Sequence, residues 1–343
     1  MNRQKTAAVL DRLITQLKGG PGSGPRPGHG RKPDPTSTRP KKDPPEDSLG
    51  IKTPDGPLPA GKFGFGDPRN DPKYLAYTEK VDKKIDQYMK EGKDTESLYS
   101  KKDANGSRVY SPERTAQHTA LIKEYVDQFK DVPNEKKAWL IGGPSGAGKS
   151  TFLKKQGAEL GLEMSEKGPK NAAVVNPDDV KDFMIKLGMV PNYEGLKPGE
   201  TAALIHEESS HISKQIQGLL LKQGKNIVFD LTVAGNPEKF IEKYVNPSAA
   251  AGYGKIKAAF VDGDIPTSLY RAGKRHQKPD ESGNASMNGR YVPYNIVAAQ
   301  GPSSGSKYKS QNREAFESVA STGAFDSVLV YDNKTGHIDR RKS

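Results

Sequence analysis

The sequence predicts an α/β fold in which a parallel β-sheet is flanked by helices. Five short apolar runs in the second part of the chain each have the length of one buried strand, and helical patterns separate them. Such alternation is typical of a parallel sheet, because parallel neighbours need a crossover connection. The runs cover residues 138–141, 172–175, 227–229, 258–261 and 328–331.

The chain divides into three predicted segments. Residues 1–66 start with a short amphipathic helical pattern over residues 3–18, followed by a basic leader with 11 Gly and 11 Pro among residues 19–66. This composition sustains neither helix nor sheet, so we expect the leader to be disordered. Residues 67–134 carry helical apolar stripes and a Ser111–Pro112 helix start. We expect these helices to pack on an α/β domain formed by residues 135–343.

Composition excludes several classes of protein. The 343 residues include no cysteine, which rules out disulfide frameworks, Cys-ligated zinc and thiol nucleophiles. No apolar run approaches the roughly 18 residues of a membrane span, and no signal-peptide core is present, so we expect a cytoplasmic protein. The net charge is +12, of which residues 1–66 supply half (12 Lys+Arg against 6 Asp+Glu). This balance favours phosphate-bearing partners.

The most specific motif is a phosphate-binding loop of the G-x-x-x-x-G-K-[ST] type. It follows the first strand pattern and precedes a helical pattern, as this motif requires. Its glycines allow backbone N–H groups to point at phosphate oxygens, and the helix N-terminus adds partial positive charge. We expect Lys149 to reach the β- and γ-phosphates and Ser150 to bind Mg²⁺. The loop residues are Gly143, Pro144, Ser145, Gly146, Ala147, Gly148, Lys149, Ser150 and Thr151.

Carboxylates stand where the predicted strands end. Asp178 and Asp179 follow the second strand, and Asp230 ends the third. The carboxyl ends of parallel strands meet at the edge that carries the phosphate loop, so these groups are candidates for a general base and for Mg²⁺ support. Either Asp178 or Asp179 fits the base. The structural alternatives are a helix first turn for the pair and a strand-end cap for Asp230.

Glu208 lies on the apolar stripe of a helix predicted over residues 201–223. Ile205 precedes it by three residues and Ile212 follows it by four, so the three side chains point the same way. A carboxylate on an apolar stripe is costly unless it is paired or used. Glu208 is therefore either a buried ion-pair partner or a functional group on a helix that faces the cleft.

Basic residues gather late in the chain. Arg271, Lys274 and Arg275 fall on one predicted helix, and Arg290 follows a loop rich in Gly, Ser and Asn over residues 279–289. A basic helix next to such a loop is typical of a lid that closes on phosphate groups. The alternative is a solvated basic helix face.

Taken together, these residues resemble the zeta-toxin family of P-loop kinases over residues 139–333. Besides the phosphate loop, five motifs carry the resemblance in order along the chain. The first is Asn176-Pro177-Asp178 after the second strand. The second is Glu208-Ser209-Ser210, which stands 16 residues ahead of Gly224 in a strand pattern that ends in Asp230-Leu231-Thr232. The other three are the helix Ser268-Leu269-Tyr270-Arg271 with Arg275, the turn Gly289-Arg290-Tyr291-Val292-Pro293 and the closing Tyr331-Asp332-Asn333.

The resemblance implies an ATP-dependent kinase. The usual family acceptor is the sugar 3′-hydroxyl of UDP-N-acetylglucosamine. Asp178 would be the base, Glu208 would hold the acceptor, and the two arginines would clamp the transferring phosphoryl group. The implied site residues are Lys149, Asp178, Arg275 and Arg290 for catalysis, Glu208, Asp178 and Thr232 for the substrate, and Ser150 and Asp230 for Mg²⁺.

Two features depart from the family pattern. Leu231 stands where the family often has glycine, and a larger side chain there would reshape the acceptor pocket. The loop between Arg275 and Arg290 is longer than usual. The resemblance therefore supports the reaction class more firmly than the identity of the acceptor.

Other functions and partners stay open at this point. The basic leader fits a polynucleotide kinase that uses it to hold nucleic acid. It also fits a virion-associated protein of a phage particle that keeps a kinase domain. In the zeta-toxin family a separate helical antitoxin covers the nucleotide site. The helices within residues 67–134 are candidates for the same inhibition within one chain.

Overall fold

A computed structural model describes residues 66–166, 168–277 and 289–342. The amphipathic pattern over residues 3–18 and the leader up to residue 65 lie outside this range. The strands are β1 (Ser100–Lys102), β2 (Arg108–Tyr110), β3 (Ala138–Gly142), β4 (Met164–Ser165), β5 (Gly168–Pro169), β6 (Ala173–Val175), β7 (Ile227–Leu231), β8 (Ile256–Asp262), β9 (Phe325–Asp332) and β10 (Ile338–Lys342).

Helices surround these strands. They are α1 (Pro72–Lys90), α2 (Thr95–Tyr99), α3 (Pro112–Asp127), α4 (Lys149–Gln156), α5 (Pro177–Lys186), α6 (His206–Lys222), α7 (Pro237–Phe240), α8 (Asn246–Ala250), α9 (Ile265–His276), α10 (Tyr294–Ala298) and α11 (Gln311–Ala320). A 3₁₀ helix, Pro198–Ala203, is called the 198–203 turn below. No helix in the described part of the chain is long and apolar enough to cross a membrane.

The central sheet has six strands in the order β10-β9-β8-β3-β7-β6. β3, β6, β7, β8 and β9 run parallel, and β10 pairs antiparallel with β9 at one edge. The predicted α/β fold class is confirmed, and all five apolar runs lie in this sheet. β10 was not predicted, because an exposed edge strand of sequence Ile-Asp-Arg-Arg-Lys shows no apolar run.

Each face of the sheet buries its own core. Successive residues of a strand point to opposite faces, so Leu140 packs in the larger core while Trp139 and Ile141 pack in the smaller one. The larger core includes side chains of α3, α5, α6 and α11. The smaller core covers α4, which follows the phosphate loop. This packing fixes the loop between a buried strand and a buried helix.

The segment before the sheet contributes α3 to the larger core, while α1 packs in a third, separate cluster. α1 and α3 confirm the predicted helices, but a hairpin of β1 and β2 separates them. Ser111 caps α3 as expected, accepting a hydrogen bond from the Arg114 backbone N–H at 3.2 Å. Leu121 and Ile122 of α3 are fully buried in the larger core. On α1 the apolar stripe buries Tyr74, Val81, Ile85 and Tyr88, whereas Met89 is 43% exposed.

Candidate site for nucleotide binding and phosphoryl transfer

The phosphate loop, residues 143–151, connects β3 to α4, which begins at Lys149. Gly146 has φ 80°, and a Cβ atom there would lie 2.5 Å from the Ser268 carbonyl oxygen. Neither the conformation nor the space admits another residue. The Lys149 ammonium donates to the Gly143 carbonyl at 3.0 Å. The loop lies between a strand and a helix N-terminus, as the motif requires, and nucleotide binding by its residues stays a prediction.

Three side chains from later in the chain hold the loop. The Ser145 N–H donates to Gln300 Oε1 at 2.9 Å. The Ala147 carbonyl accepts hydrogen bonds from Arg271 Nη1 at 3.2 Å and from the Asn333 amide. Arg271 and Asn333 belong to the motifs recognised in the sequence, whereas Gln300 was missed because it stands alone after α10.

Asp230 is the penultimate residue of β7 and lies opposite the phosphate-loop lysine. Its Oδ1 atom lies 3.9 Å from Lys149 Nζ, and its Oδ2 atom accepts a hydrogen bond from the Asn176 amide at 3.4 Å. Burial raises the pKa of Asp230 and lowers the pKa of Lys149. The opposite charge of each residue acts against this shift in the other but does not cancel it. The Oδ1 atom is buried and has no hydrogen-bond donor among the described residues.

Asp230 fits a magnesium ion that arrives with a nucleotide, whereas Ser150 as a ligand of that ion stays a prediction. The described part of the chain has no group of three or more His, Cys, Asp or Glu side chains that could hold a metal alone. Mg²⁺ does not require such a cage, since it uses one or two protein ligands together with phosphate oxygens and water. The undonated Asp230 oxygen beside Lys149 is the kind of group that such an ion would engage.

Asp178 lies at the first turn of α5, where the Asn176 side chain accepts hydrogen bonds from the N–H groups of Asp178 (2.7 Å) and Asp179 (3.2 Å). Its carboxylate contacts Lys181 Nζ at 3.1 Å and Arg290 Nη2 at 2.9 Å. Burial acts to raise the pKa of Asp178, but these two cations lower it below the usual value. Lys181 was missed, although its spacing of three residues on a helix predicts the contact.

Asp179 has the opposite protonation behaviour. Burial and the nearby carboxylates of Asp230 and Asp178 raise its pKa to about 7. Asp178 is therefore ionised at neutral pH, whereas Asp179 titrates there. Asp178 as the general base stays a prediction, and Asp179 stays its alternative.

The two arginines converge on the same place. Arg290 pairs with Asp178, and Arg275 has a buried Nε atom without a hydrogen-bond partner. Burial and the neighbouring Arg290 charge lower the pKa of Arg275 to about 10. Lys149 interacts electrostatically with both arginines as well as with the carboxylates. Cations concentrated in a cleft can stabilise the charge of a phosphoryl group in transfer.

Lys274 does not join this cluster. Its ammonium donates to the Gly66 carbonyl at 3.1 Å, on the side of α9 that faces the N-terminal segment. The predicted basic residues of α9 therefore point to two sides of the helix. Arg271 and Arg275 lie beside the phosphate loop, whereas Lys274 contacts the segment of residues 66–71.

Glu208 is completely buried in an ion-paired network with α3. Its Oε1 atom accepts hydrogen bonds from Arg114 Nε and His118 Nε2, each at 2.6 Å, and its Oε2 atom accepts from Arg114 Nη2 at 2.8 Å. Thr95 adds a further hydrogen bond. The ion-pair interpretation is therefore the one seen. The role of Glu208 in binding the phosphate acceptor stays a prediction. It requires Arg114, His118 or Thr95 to give up its hydrogen bond to a carboxylate oxygen of Glu208.

Thr232 follows β7 on an exposed, constrained turn. The Asn312 amide donates to the carbonyls of Thr232 at 2.9 Å and Val233 at 3.0 Å. Val233 has φ 50°, a rare conformation for a β-branched residue. Strain of this kind is often retained at functional sites. Thr232 as a substrate contact stays a prediction.

The helices of residues 66–134 pack away from the phosphate loop. α3 lies on α5 and α6, and α1 lies on the 198–203 turn. The loop contacts described above come from Ser268, Arg271, Gln300 and Asn333 instead. This placement gives no support to inhibition within one chain by covering the nucleotide.

The family model described as Zeta toxin matches residues 122–338, more than half of the chain. The chain belongs to the zeta-toxin family. The resemblance drawn from the motifs is confirmed, and the matched range contains the phosphate loop, the carboxylates and both arginines. No curated protein matches the chain.

Several solved structures are similar to this chain. The complex of AvrRxo1-ORF1 and AvrRxo1-ORF2 with sulphate ions is 19% identical, covers 67% of each chain and has a TM-score of 0.48. The same complex with ATP is 17% identical, covers 72% of this chain and 75% of that chain, and has a TM-score of 0.47. The PezAT toxin-antitoxin system of Streptococcus pneumoniae is 14% identical, covers 67% and 81%, and has a TM-score of 0.45.

Proposed function

We propose that this protein is an ATP- and Mg²⁺-dependent kinase that phosphorylates the 3′-hydroxyl of the sugar of UDP-N-acetylglucosamine. One observation supports the reaction class most. Two carboxylates, Asp178 and Asp230, and two arginines, Arg275 and Arg290, come from separate elements and surround the phosphate-loop residue Lys149. Family membership supports the choice of acceptor.

Each residue has a role in this proposal. The loop N–H groups and Lys149 hold the β- and γ-phosphates. Ser150 and Asp230 would hold Mg²⁺, which would neutralise phosphate charge. Asp178 accepts the proton of the acceptor hydroxyl. The acceptor oxygen forms a bond to the γ-phosphorus, the bond to the β–γ bridging oxygen breaks, and ADP leaves.

The arginines act during the transfer. Arg275 and Arg290 stabilise the charge on the γ-phosphoryl oxygens. Arg290 is paired with Asp178 in this structure at 2.9 Å, so binding of ATP and acceptor must redirect its guanidinium toward phosphate. That exchange frees the Asp178 carboxylate to accept a proton.

The test is mass spectrometry of UDP-N-acetylglucosamine after incubation with ATP, Mg²⁺ and the full chain. We expect one phosphate to be added by the native protein and none by Lys149→Ala. Loss of transfer in Asp178→Asn but not Asp179→Asn would assign the base. Full transfer by Asp178→Asn would remove it from that role. ATP turnover without a phosphorylated sugar would refute the acceptor.

A second candidate acceptor is a nucleic-acid end. The charge of residues 1–66, 12 Lys+Arg against 6 Asp+Glu, favours it. Binding of nucleic acid should then weaken steeply as the salt concentration rises. An electrophoretic mobility assay that shows no shift at low salt would exclude this acceptor.

A separate antitoxin is a partner that fits family membership. Co-purification of such a protein with this chain from the source cells would reveal it.

A further inference from the structure

We propose that α1 is a positioning element that holds Arg275 and Arg290 in place for phosphoryl transfer. The inference rests on the proposed function, because it presumes that these arginines act on the phosphoryl group. It stands on a separate set of contacts. α1 precedes the range matched by the family model, which begins at residue 122, so this arrangement was not expected from the family motifs.

The first contact holds the residue after Arg275. The ring of His276 is hydrogen-bonded through Nδ1 to the Tyr74 hydroxyl at 3.0 Å and through Nε2 to Glu200 Oε1 at 3.1 Å. The Tyr77 hydroxyl donates to the same Glu200 oxygen. His276 and Glu200 are buried. Two tyrosines of α1 and one carboxylate therefore hold the end of α9.

The second contact holds the residue after Arg290. The Tyr291 hydroxyl donates to Asp82 Oδ1 on α1 at 2.8 Å, and its backbone N–H donates to the Gly199 carbonyl at 2.9 Å. Its ring centre lies 4.7 Å from that of His276. The neighbours of both arginines thus touch each other as well as α1.

The 198–203 turn completes the support. Glu200 belongs to this turn, and a Cβ atom on Gly199 would lie 2.7 Å from the Gly289 carbonyl oxygen. The backbone that carries Arg290 therefore packs directly on the turn that α1 anchors. The arrangement predicts that loss of α1 lowers kinase activity, whereas inhibition by these helices predicts that it rises.

The test uses conservative variants of the full chain. Tyr77→Phe and Tyr291→Phe each remove one hydroxyl from the support. Tyr88→Phe is the matched control, because its hydroxyl lies on the same helix but donates to the Glu194 carbonyl at 3.0 Å. We measure kcat and KM for ATP and acceptor, melting temperature, and hydrogen–deuterium exchange of the peptides that contain His276 and Tyr291.

We expect Tyr77→Phe and Tyr291→Phe to lower kcat by about tenfold or more, because a misplacement of about 1 Å can cost about 10²-fold. KM for ATP should not change, and exchange around residues 289–292 should accelerate. Tyr88→Phe should leave kcat and that exchange unchanged.

Two results would overturn the proposal. One is unchanged kcat and unchanged exchange in both variants, even with a lower melting temperature. The other is a rise in KM alone. If the native protein transfers no phosphate to UDP-N-acetylglucosamine, the proposed acceptor fails while the exchange experiment still decides whether α1 orders the arginine segments. Gly199→Ala, which pushes on the Gly289 carbonyl from the other side, should accelerate the same exchange.

Discussion

Removing the charge of Glu208 should strongly destabilise the protein. In Glu208→Gln the Arg114 guanidinium, 3% exposed, loses its carboxylate partner while it stays buried. Breaking a buried ion pair by changing one partner costs about 3–5 kcal/mol. Since single domains have stabilities of about 5–15 kcal/mol, the loss would be a large fraction of the total.

Urea unfolding of the native protein, Glu208→Gln, Arg114→Met and the double variant measures this loss. Because the residues share one network, we expect the double variant to lose less than the sum of the single losses. Lys83→Met is the control, since Lys83 pairs with Glu79 at 2.6 Å on an exposed face of α1. An exposed surface pair of this kind contributes little to stability, so Lys83→Met should unfold at nearly the same urea concentration as the native protein.

The pH dependence gives the sign of the effect. Burial acts to raise the pKa of Glu208, but hydrogen bonds from Arg114 and His118 lower it below 4.5. A lowered pKa means that the carboxylate stabilises the fold above its unfolded pKa and loses this effect as pH falls through its folded pKa. The difference in free energy of unfolding between the native protein and Glu208→Gln should therefore be largest at pH 7 and should decrease below pH 4.5.

One result would refute this reasoning. A loss below about 1 kcal/mol in Glu208→Gln, together with a raised KM for the acceptor, would mean that Glu208 binds substrate and that the network with Arg114 contributes little.

Further variants test the cleft. Arg275→Ala should lower kcat by about 10³-fold in a transfer assay, because it removes charge from the phosphoryl group; a loss below tenfold would contradict the clamp. Asp179→Asn should raise the melting temperature at pH 8 but not at pH 3, since a raised pKa near 7 means that ionisation destabilises the fold only at higher pH. Lys181→Met should raise the pKa of Asp178 and move the acid limb of the kcat profile to higher pH. Gly146→Ala should abolish nucleotide binding in a calorimetric titration, because its Cβ would meet the Ser268 carbonyl.

The fold and the cleft could be predicted where the signals are local. A buried parallel strand appears as a short apolar run, and the phosphate loop is a contiguous motif. Parallel strands place their carboxyl ends at one edge, so Asp178 and Asp230 could be placed beside the loop without any contact information. The sheet order agrees with this placement, and Asp230 Oδ1 lies 3.9 Å from Lys149 Nζ, while the roles of Asp178 and Asp230 stay predictions.

The remaining features depend on long-range contacts that no local pattern contains. Glu208 pairs with Arg114, which lies 94 residues earlier in the chain. The sequence pattern therefore predicts that the Glu208 carboxylate needs a partner but does not identify it. Strands β1 and β2 of the hairpin have only three residues each, which is too short for a periodic signal. The link from Tyr291 to Asp82 crosses 209 residues. Such pairs become visible only when helices pack.

The fate of the γ-phosphate tests the central claim most directly. Phosphorus NMR can follow ATP, Mg²⁺, UDP-N-acetylglucosamine and the full chain in one tube. The account predicts that the γ-phosphate signal declines while a phosphomonoester signal, correlated with the proton on the sugar 3′ carbon, grows in equal amount. Growth of inorganic phosphate alone, with the nucleotide sugar unchanged, would contradict it.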